Sequence, residues 1–405
     1  MKFIHTADLH LGSSFKGIPD AGNNDFKEKL INSTFVALDK IVNDAIKEEV
    51  DFVLIVGDVF DGSDRLKSRI RMFKDPMEKL SEEGIPVVFC YGNHDHYDTS
   101  EDQDWAENIH QLDNSVETIH LTLKDGETVD VSGFSYKENH IPEDMVPQYP
   151  DRSDADWHIG MLHAAESTGS SNQTDDYAPF KKQELIDKKY DYWALGHIHK
   201  HGELNSEPPI VYAGNPQGRR KNEEGEHGYY LVTSENNRLV PEFKPVDTFR
   251  WVKLNIEITD GTEAEVQEAV EKQLDSKYDG TYLVDLDVKF PGKEIKDREI
   301  LSNLQSKFFQ QMESDKKEDS DKSKIKWYPY SLILSKLEDL SIDGDIDSQA
   351  FQQAREEVLN EEHIKKLVED YFGSKDELKD ADFDAEKIFN KANNIIRERG
   401  DLVED

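Results

Sequence analysis

Five short stretches of this chain place metal-binding side chains where a strand should end. Asp8-Leu9-His10 follows the run Lys2 to Ala7, and Gly57-Asp58-Val59-Phe60-Asp61 follows Phe52 to Val56. Gly92-Asn93-His94-Asp95-His96 follows Ile85 to Tyr91, His163 closes Trp157 to Leu162, and Gly196-His197-Ile198-His199 closes Tyr190 to Leu195. Carboxylate, amide and imidazole without thiolate suit manganese, iron, zinc or magnesium. A histidine left free among them is a proton donor. Taken singly, each stretch says little. Asp-x-His only sets two donors on one side of extended backbone, and Gly92 to His96 reads equally well as a polar loop with a chance histidine pair. Chance does not readily place such groups at five successive strand ends.

An open α/β sheet gathers loops of this kind along the rim where its strands finish, and the intervening pattern fits one. Leu30, Ile31, Phe35, Leu38, Ile41, Val42, Ala45 and Ile46 recur at helical spacing and predict an amphipathic helix over Glu28 to Val50. Strand, helix and strand then make a βαβ unit. Arg65, Lys67, Arg69, Arg71 and Lys74 lie on a second expected helix that continues through Leu80, and Asp102 to Leu112 is read as a third. Asp125-Gly126 between alternating runs signals a hairpin. Ser167 to Asp176 is small and polar and reads as an exposed loop. Ile210 to Pro216 gives a strand and turn, Arg219-Arg220-Lys221 follow closely, and Gly228 to Thr233 and Leu239 to Phe243 close a first domain.

A chain of 405 residues is long enough for two or three domains. Its formal charge of −37 argues at first against nucleic acid as a partner. The acidic residues are spread evenly, however, as on a solvated or salt-adapted surface, so local basic clusters carry more information than the sum. Cys90 is the only cysteine, which excludes a disulfide framework and a cysteine-type zinc site and fits a reducing cytoplasm. Met1 leads straight into a strand without an apolar leader, and no later run approaches the length of a membrane span. The expectation is a cytoplasmic protein without a membrane partner.

Together the five motifs resemble those of the calcineurin-like metallophosphoesterase superfamily, over residues 1 to about 245. Phe3 to Leu11, Gly57 to Asp61 and Tyr212-Ala213-Gly214-Asn215-Pro216 are most similar to the SbcD/YhaO-type branch of DNA-repair exonucleases. The resemblance implies a four-layer α/β/β/α sandwich holding two divalent metal ions, manganese first among the candidates. By the same resemblance Asp8, His10 and His199 bind one ion, Asn93, His163 and His197 bind the other, and Asp58 bridges both. His94 is then the unliganded histidine that protonates the departing 3′ oxygen, with Asp95 orienting its ring. Archaeal and eukaryotic nucleases of the branch carry a histidine three residues after the bridging aspartate. Asp61 stands there in this chain, and its role, contact with substrate or support for a ligand, stays open. Arg69, Arg71, Arg219, Arg220 and Lys221 are candidate contacts to DNA phosphates. Solubilising faces are the competing reading. His5 and His158 lie within strands; these and His110, His120, His140, His227 and His363 read as structural or surface residues, while His96 and His201 border the cluster.

Residues 246–313 read as β-α-β followed by a helix and resemble the capping domain of the branch. A charged linker over 314–326 comes next, then a helical region over 327–405 with amphipathic segments Gln349 to Phe372 and Asp384 to Arg399. Resemblance to the branch implies DNA as substrate and an SMC-like coiled-coil ATPase as partner, docked on that tail. The chain has no P-loop of its own, and its oligomeric state, a homodimer included, is open. Two alternatives remain at this stage: a phosphodiesterase or phosphatase for nucleotides or phosphoproteins, since one dimetal site serves all of these, and a non-catalytic metal-binding scaffold of an ATPase complex.

Overall fold

The structure is a computed structural model that describes residues 1–18, 23–62, 67–97, 105–167, 177–259, 262–290, 297–315 and 325–336. The expected tail helices, Arg65 and most of the loop after Ser167 lie outside these residues.

The chain opens with β1 (Lys2–Ala7), α1 (Asn24–Lys47), β2 (Phe52–Val56), α2 (Lys67–Glu82), β3 (Val87–Cys90) and β4 (Ile109–Gln111). It continues through β5 (Glu117–Thr122), β6 (Thr128–Gly133), β7 (Trp157–His163), α3 (Lys182–Asp187), β8 (Tyr192–Gly196), β9 (Gly202–Ser206) and β10 (Pro209–Tyr212). The hairpin β11 (Gly228–Glu235) and β12 (Arg238–Pro245) then returns to the start. Two six-stranded sheets result, ordered β12-β11-β1-β2-β3-β4 and β5-β6-β7-β8-β10-β9.

Strand β2 shows why so many of these runs are continuously apolar. Phe52, Leu54 and Val56 pack with Val131, Ile159, Met161 and Ala194 of the other sheet. Val53 and Ile55 face the opposite way, onto Leu38, Ile41 and Val42 of α1 and Phe73 and Met77 of α2. A strand buried on both sides has no polar position to spare. The second sheet's outer face is covered by Tyr149, Ala178, Phe180 and Leu185 on Leu162, Trp193 and Ile210. The four expected layers are therefore present, although the fourth is thin: α3 has only six residues, and loops supply the remainder.

Two local readings change. α1 starts at Asn24 because Asn23 caps it, its side chain accepting from the Phe26 amide. The helix expected over Asp102 to Leu112 is not formed in its described part. Ile109-His110-Gln111 pairs parallel to Val87-Val88-Phe89 instead, as an edge strand of the first sheet, because open backbone groups on β3 outweigh a weak helical pattern.

What positions the site is the register. Ala7 stands beside Val56 and Val56 beside Cys90 in one sheet, while His163 stands beside Gly196 in the other. All the motif loops therefore leave the sandwich together. Gly196 shows how closely the two sheets approach there: a Cβ on it would lie 2.1 Å from the Val56 carbonyl oxygen.

The described residues form two compact units. The first takes in 1–253, 275–284 and 313–330; the second takes in 254–274, 285–312 and the described residues from 331 on. β13 (Phe249–Glu257), α4 (Glu263–Gln273), β14 (Thr281–Phe290), α5 (Asp297–Asp315) and β15 (Lys326–Lys336) complete the described elements, with a three-stranded sheet ordered β13-β14-β15.

Candidate metal centre

The first two motif loops are zipped to each other. The Asp8, His10 and Leu11 amides donate to the carbonyls of Gly57, Asp58 and Val59 at 3.1, 2.9 and 2.9 Å. Parallel pairing thus continues past the strands, but with Asp8, His10 and Asp58 at φ of 51°, 43° and 48°, and His197 across the rim is at 94°. Side-chain-bearing residues rarely adopt this left-handed region, and a cluster of them marks a site where the surroundings enforce the strain. The Asp8 carboxylate reaches over to accept from the His197 amide at 3.0 Å, joining the two sheets.

Asp58 divides the donors. Its Oδ2 lies 3.6 Å from His10 Nε2 and its Oδ1 lies 3.5 Å from His163 Nε2. On the Oδ2 side, His10 Nε2 and His199 Nε2 stand 3.1 Å apart, and Asp8, His10 and His199 form one compact donor group. On the Oδ1 side, His163 Nε2 and His197 Nδ1 converge on Asn93 Oδ1 at 3.0 and 3.2 Å. The seven residues expected as ligands are thus brought together in two sets around one carboxylate.

The donors are in ligand form. Burial holds His10 and His197 down at about 3 and lowers His163 as well, so the imidazoles are neutral at pH 7. Tautomers follow from the other ring nitrogen: His163 Nδ1 donates to the Val56 carbonyl at 3.1 Å, which leaves Nε2 as a lone pair facing Asp58. Burial, and then the neighbouring Asp58 charge, push Asp8 well above the carboxylate range. Asp58, which burial alone would raise, is lowered to about 2, in part by the hydrogen bond from the His94 amide. Buried carboxylates and imidazole lone pairs directed at one another repel unless cations lie among them. The residues therefore fit two divalent ions, of which Asp8, His10, His199 and Asp58 would hold one and Asp58, Asn93, His163 and His197 the other.

His94 adjoins the first set, and with His10 and Asp61 it forms a further compact donor group. Its side chain is 40% exposed, whereas those of His10 and His163 are fully covered. Its amide donates to Asp58 Oδ1 at 2.9 Å, and its ring meets His10 edge-on. Asp95 is buried and accepts from the Gly92 and Phe60 amides at 2.7 and 3.0 Å, tying the third loop to the second. Asp61 Oδ1 lies 3.6 Å from His94 Nδ1 and 3.5 Å from His10 Nδ1.

Arg219 is also not where a solubilising turn would put it. It is 3% exposed, its Nη1 donates to Ser13 Oγ at 2.8 Å and lies 3.5 Å from Asp61 Oδ1, and its Nε and Nη2 have no partner among the described residues. Arg220 is half-buried and Lys221 exposed. On α2, Arg71 is exposed and lies 3.7 Å from Asp75, while the side chain of Arg69 falls outside the described atoms. Of the bordering histidines, His201 stacks on Phe243, and His96 Nδ1 lies 3.1 Å from the Asn93 carbonyl oxygen. Sequence reasoning missed Glu223, whose Oε1 accepts from His199 Nδ1 at 2.7 Å. It is one of 86 acidic residues, in a turn that no periodicity distinguishes.

A family model for calcineurin-like phosphoesterases matches residues 1–201, and this part of the chain is a domain of that family. Among curated proteins, the uncharacterized metallophosphoesterase YhaO of Bacillus subtilis is 37% identical over 263 residues, 64% of this chain and 64% of its own length. A subunit of the nuclease SbcCD from Staphylococcus epidermidis is 25% identical over 63% of this chain and 72% of its own. The DNA double-strand break repair protein Mre11 of Methanopyrus kandleri is 23% identical over 62% of this chain and 58% of its own. The chain thus spans just under two thirds of YhaO's length.

Proposed function

We propose that this protein is a dimetal phosphodiesterase that hydrolyses DNA, working as a nuclease subunit beside an SMC-like ATPase. The observation that carries the phosphodiesterase reading is Asp58, whose two oxygens face separate donor sets while an exposed histidine stands next to them. Two cations bound there supply Lewis acidity and bring the pKa of water into the working range. Donors limited to oxygen and imidazole support manganese as the native ion.

The chain's own residues supply the rest. His94 is exposed toward the substrate side and delivers a proton to the leaving oxygen. Asp61, beside its Nδ1, favours the proton on that nitrogen and steadies the ring. Arg219, a buried guanidinium 3.5 Å from Asp61, places a fixed positive charge beside the centre, and that charge favours a phosphate group there. The strained ligand backbones hold the donors in place before substrate arrives.

DNA as the substrate class is supported by what Mre11 is named for, and a further subunit by the name of the SbcCD subunit; that this subunit is an SMC-like ATPase is what resemblance to the branch implies. Residues 246–313 are then assigned as the capping domain of the branch, and residues 327–405 as the docking element. No helix among the described residues is long and apolar enough to cross a membrane, and a single buried cysteine suits the cytoplasm. The test is to incubate Mn2+-loaded protein with end-labelled single- and double-stranded DNA and, in parallel, with bis-p-nitrophenyl phosphate. Cleavage of DNA is expected; hydrolysis of the small ester with DNA left intact overturns the substrate assignment.

A further inference from the structure

We infer that Glu223 is a positioning residue of the metal centre, fixing the tautomer of His199 and binding that ligand to the turn that carries Arg219. The inference rests on the dimetal reading above and concerns a residue outside every motif.

The geometry divides Glu223 between two tasks. Oε1 accepts from His199 Nδ1 at 2.7 Å. Oε2 accepts from three donors of the same turn: the Arg219 amide at 2.6 Å, the Asn215 side-chain amide at 3.2 Å and the Arg220 amide at 3.3 Å. The side chain is 8% exposed, so solvent does not replace these partners. A carboxylate, unlike a backbone carbonyl, draws the imidazole proton strongly to Nδ1 and makes the opposite nitrogen a better donor to a cation. His199 Nε2 is that nitrogen, and it faces His10.

The turn itself is independently rigid. Gln217 is buried, with Oε1 accepting from the Thr248 and Phe249 amides and Nε2 donating to the Phe249 and Gly218 carbonyls. The Asn215 amide donates to the His199 carbonyl at 3.1 Å. Glu223 therefore projects from a fixed turn onto a ligand whose backbone the same turn holds. Its two oxygens make the metal ligand and the Arg219 backbone parts of one hydrogen-bonded assembly.

Glu223→Gln tests this sharply. Three donors meet Oε2, so the glutamine oxygen must stay there and its NH2 must face His199. Nδ1 becomes an acceptor, the proton moves to Nε2, and the lone pair that would hold the cation is lost. The measurements are 15N-histidine NMR of the metal-free protein and calorimetric titration with Mn2+. In the wild type we expect His199 protonated on Nδ1 and two Mn2+ equivalents. In the variant we expect protonation on Nε2 and about 10–100-fold weaker binding of one equivalent, with the other unchanged. A wild-type His199 protonated on Nε2, or a folded variant that binds both equivalents with wild-type affinity, overturns the inference. A wild type that binds fewer than two equivalents overturns the dimetal reading instead, and the NMR tautomer still tests Glu223.

Discussion

Acid should unfold the metal-free protein through its buried histidines. His5, His10 and His197 titrate at about 3 in the folded chain because burial disfavours their charged forms, against about 6.5 when unfolded. Since the unfolded chain binds protons first, the stability these residues contribute is complete above about pH 6.5 and is lost as the pH falls toward 3. Between pH 7 and pH 5 the loss is about 2 kcal/mol for each histidine, at about 1.4 kcal/mol per pH unit below 6.5. Asp8 works in the opposite sense: its raised folded value adds stability on acidification and offsets part of the loss. Urea denaturation of EDTA-treated protein at the two pH values measures the difference. The midpoint should fall clearly at pH 5, and Mn2+ should restore it more at pH 7 than at pH 5, because acid favours the protonated form of Asp8, whose folded value is raised, and that proton must leave before the carboxylate can hold a cation. Superimposable curves in EDTA at the two pH values would mean that these imidazoles are not held neutral in the folded protein, and the electrostatic account of the centre would be wrong.

Gly196→Ala drives a Cβ to 2.1 Å from the Val56 carbonyl and 2.8 Å from His163 Nδ1; thermal melting should show a loss of about 1–3 kcal/mol, and Mn2+ titration a weakened site at His163. His94→Gln should retain both metal equivalents, read by elemental analysis, while turnover of a small phosphodiester falls about 10²–10⁴-fold; loss of an equivalent would make His94 a ligand. Arg219→Gln should raise KM for DNA and flatten the salt dependence of binding, whereas Lys221→Gln, at an exposed position, should change neither. Asp58→Asn should weaken both Mn2+ equivalents in the same titration, since one residue faces both donor sets.

Much of the site was legible from sequence because its ligands sit next to strands that are apolar on both faces. Once Phe52 to Val56 is recognised as a doubly buried strand, Asp58 must lie at its end, and the parallel register does the rest. What was not legible depends on where turns wrap. Asp61 and Asp95 are both acidic residues close to a motif's principal ligand, and only the folded loops show that Asp95 binds the backbone amides of Gly92 and Phe60 while Asp61 meets His94. Arg219 reads as part of a surface triplet, yet its side chain turns inward to Ser13 while Lys221 stays in solvent. The short strand at Ile109 was missed because three residues carry too little periodicity to reveal themselves; its pairing partner, not its composition, makes it a strand.

The left-handed backbones at Asp8, His10, Asp58 and His197 set a direction for sequence drift. At each of these positions glycine is the residue the main chain prefers, so selection for thermostability alone runs against the metal ligands. A descendant released from hydrolysis would gain stability by shedding them and would reach a glycine-rich rim on an unchanged sandwich. Only continued demand for the bound ions opposes that drift.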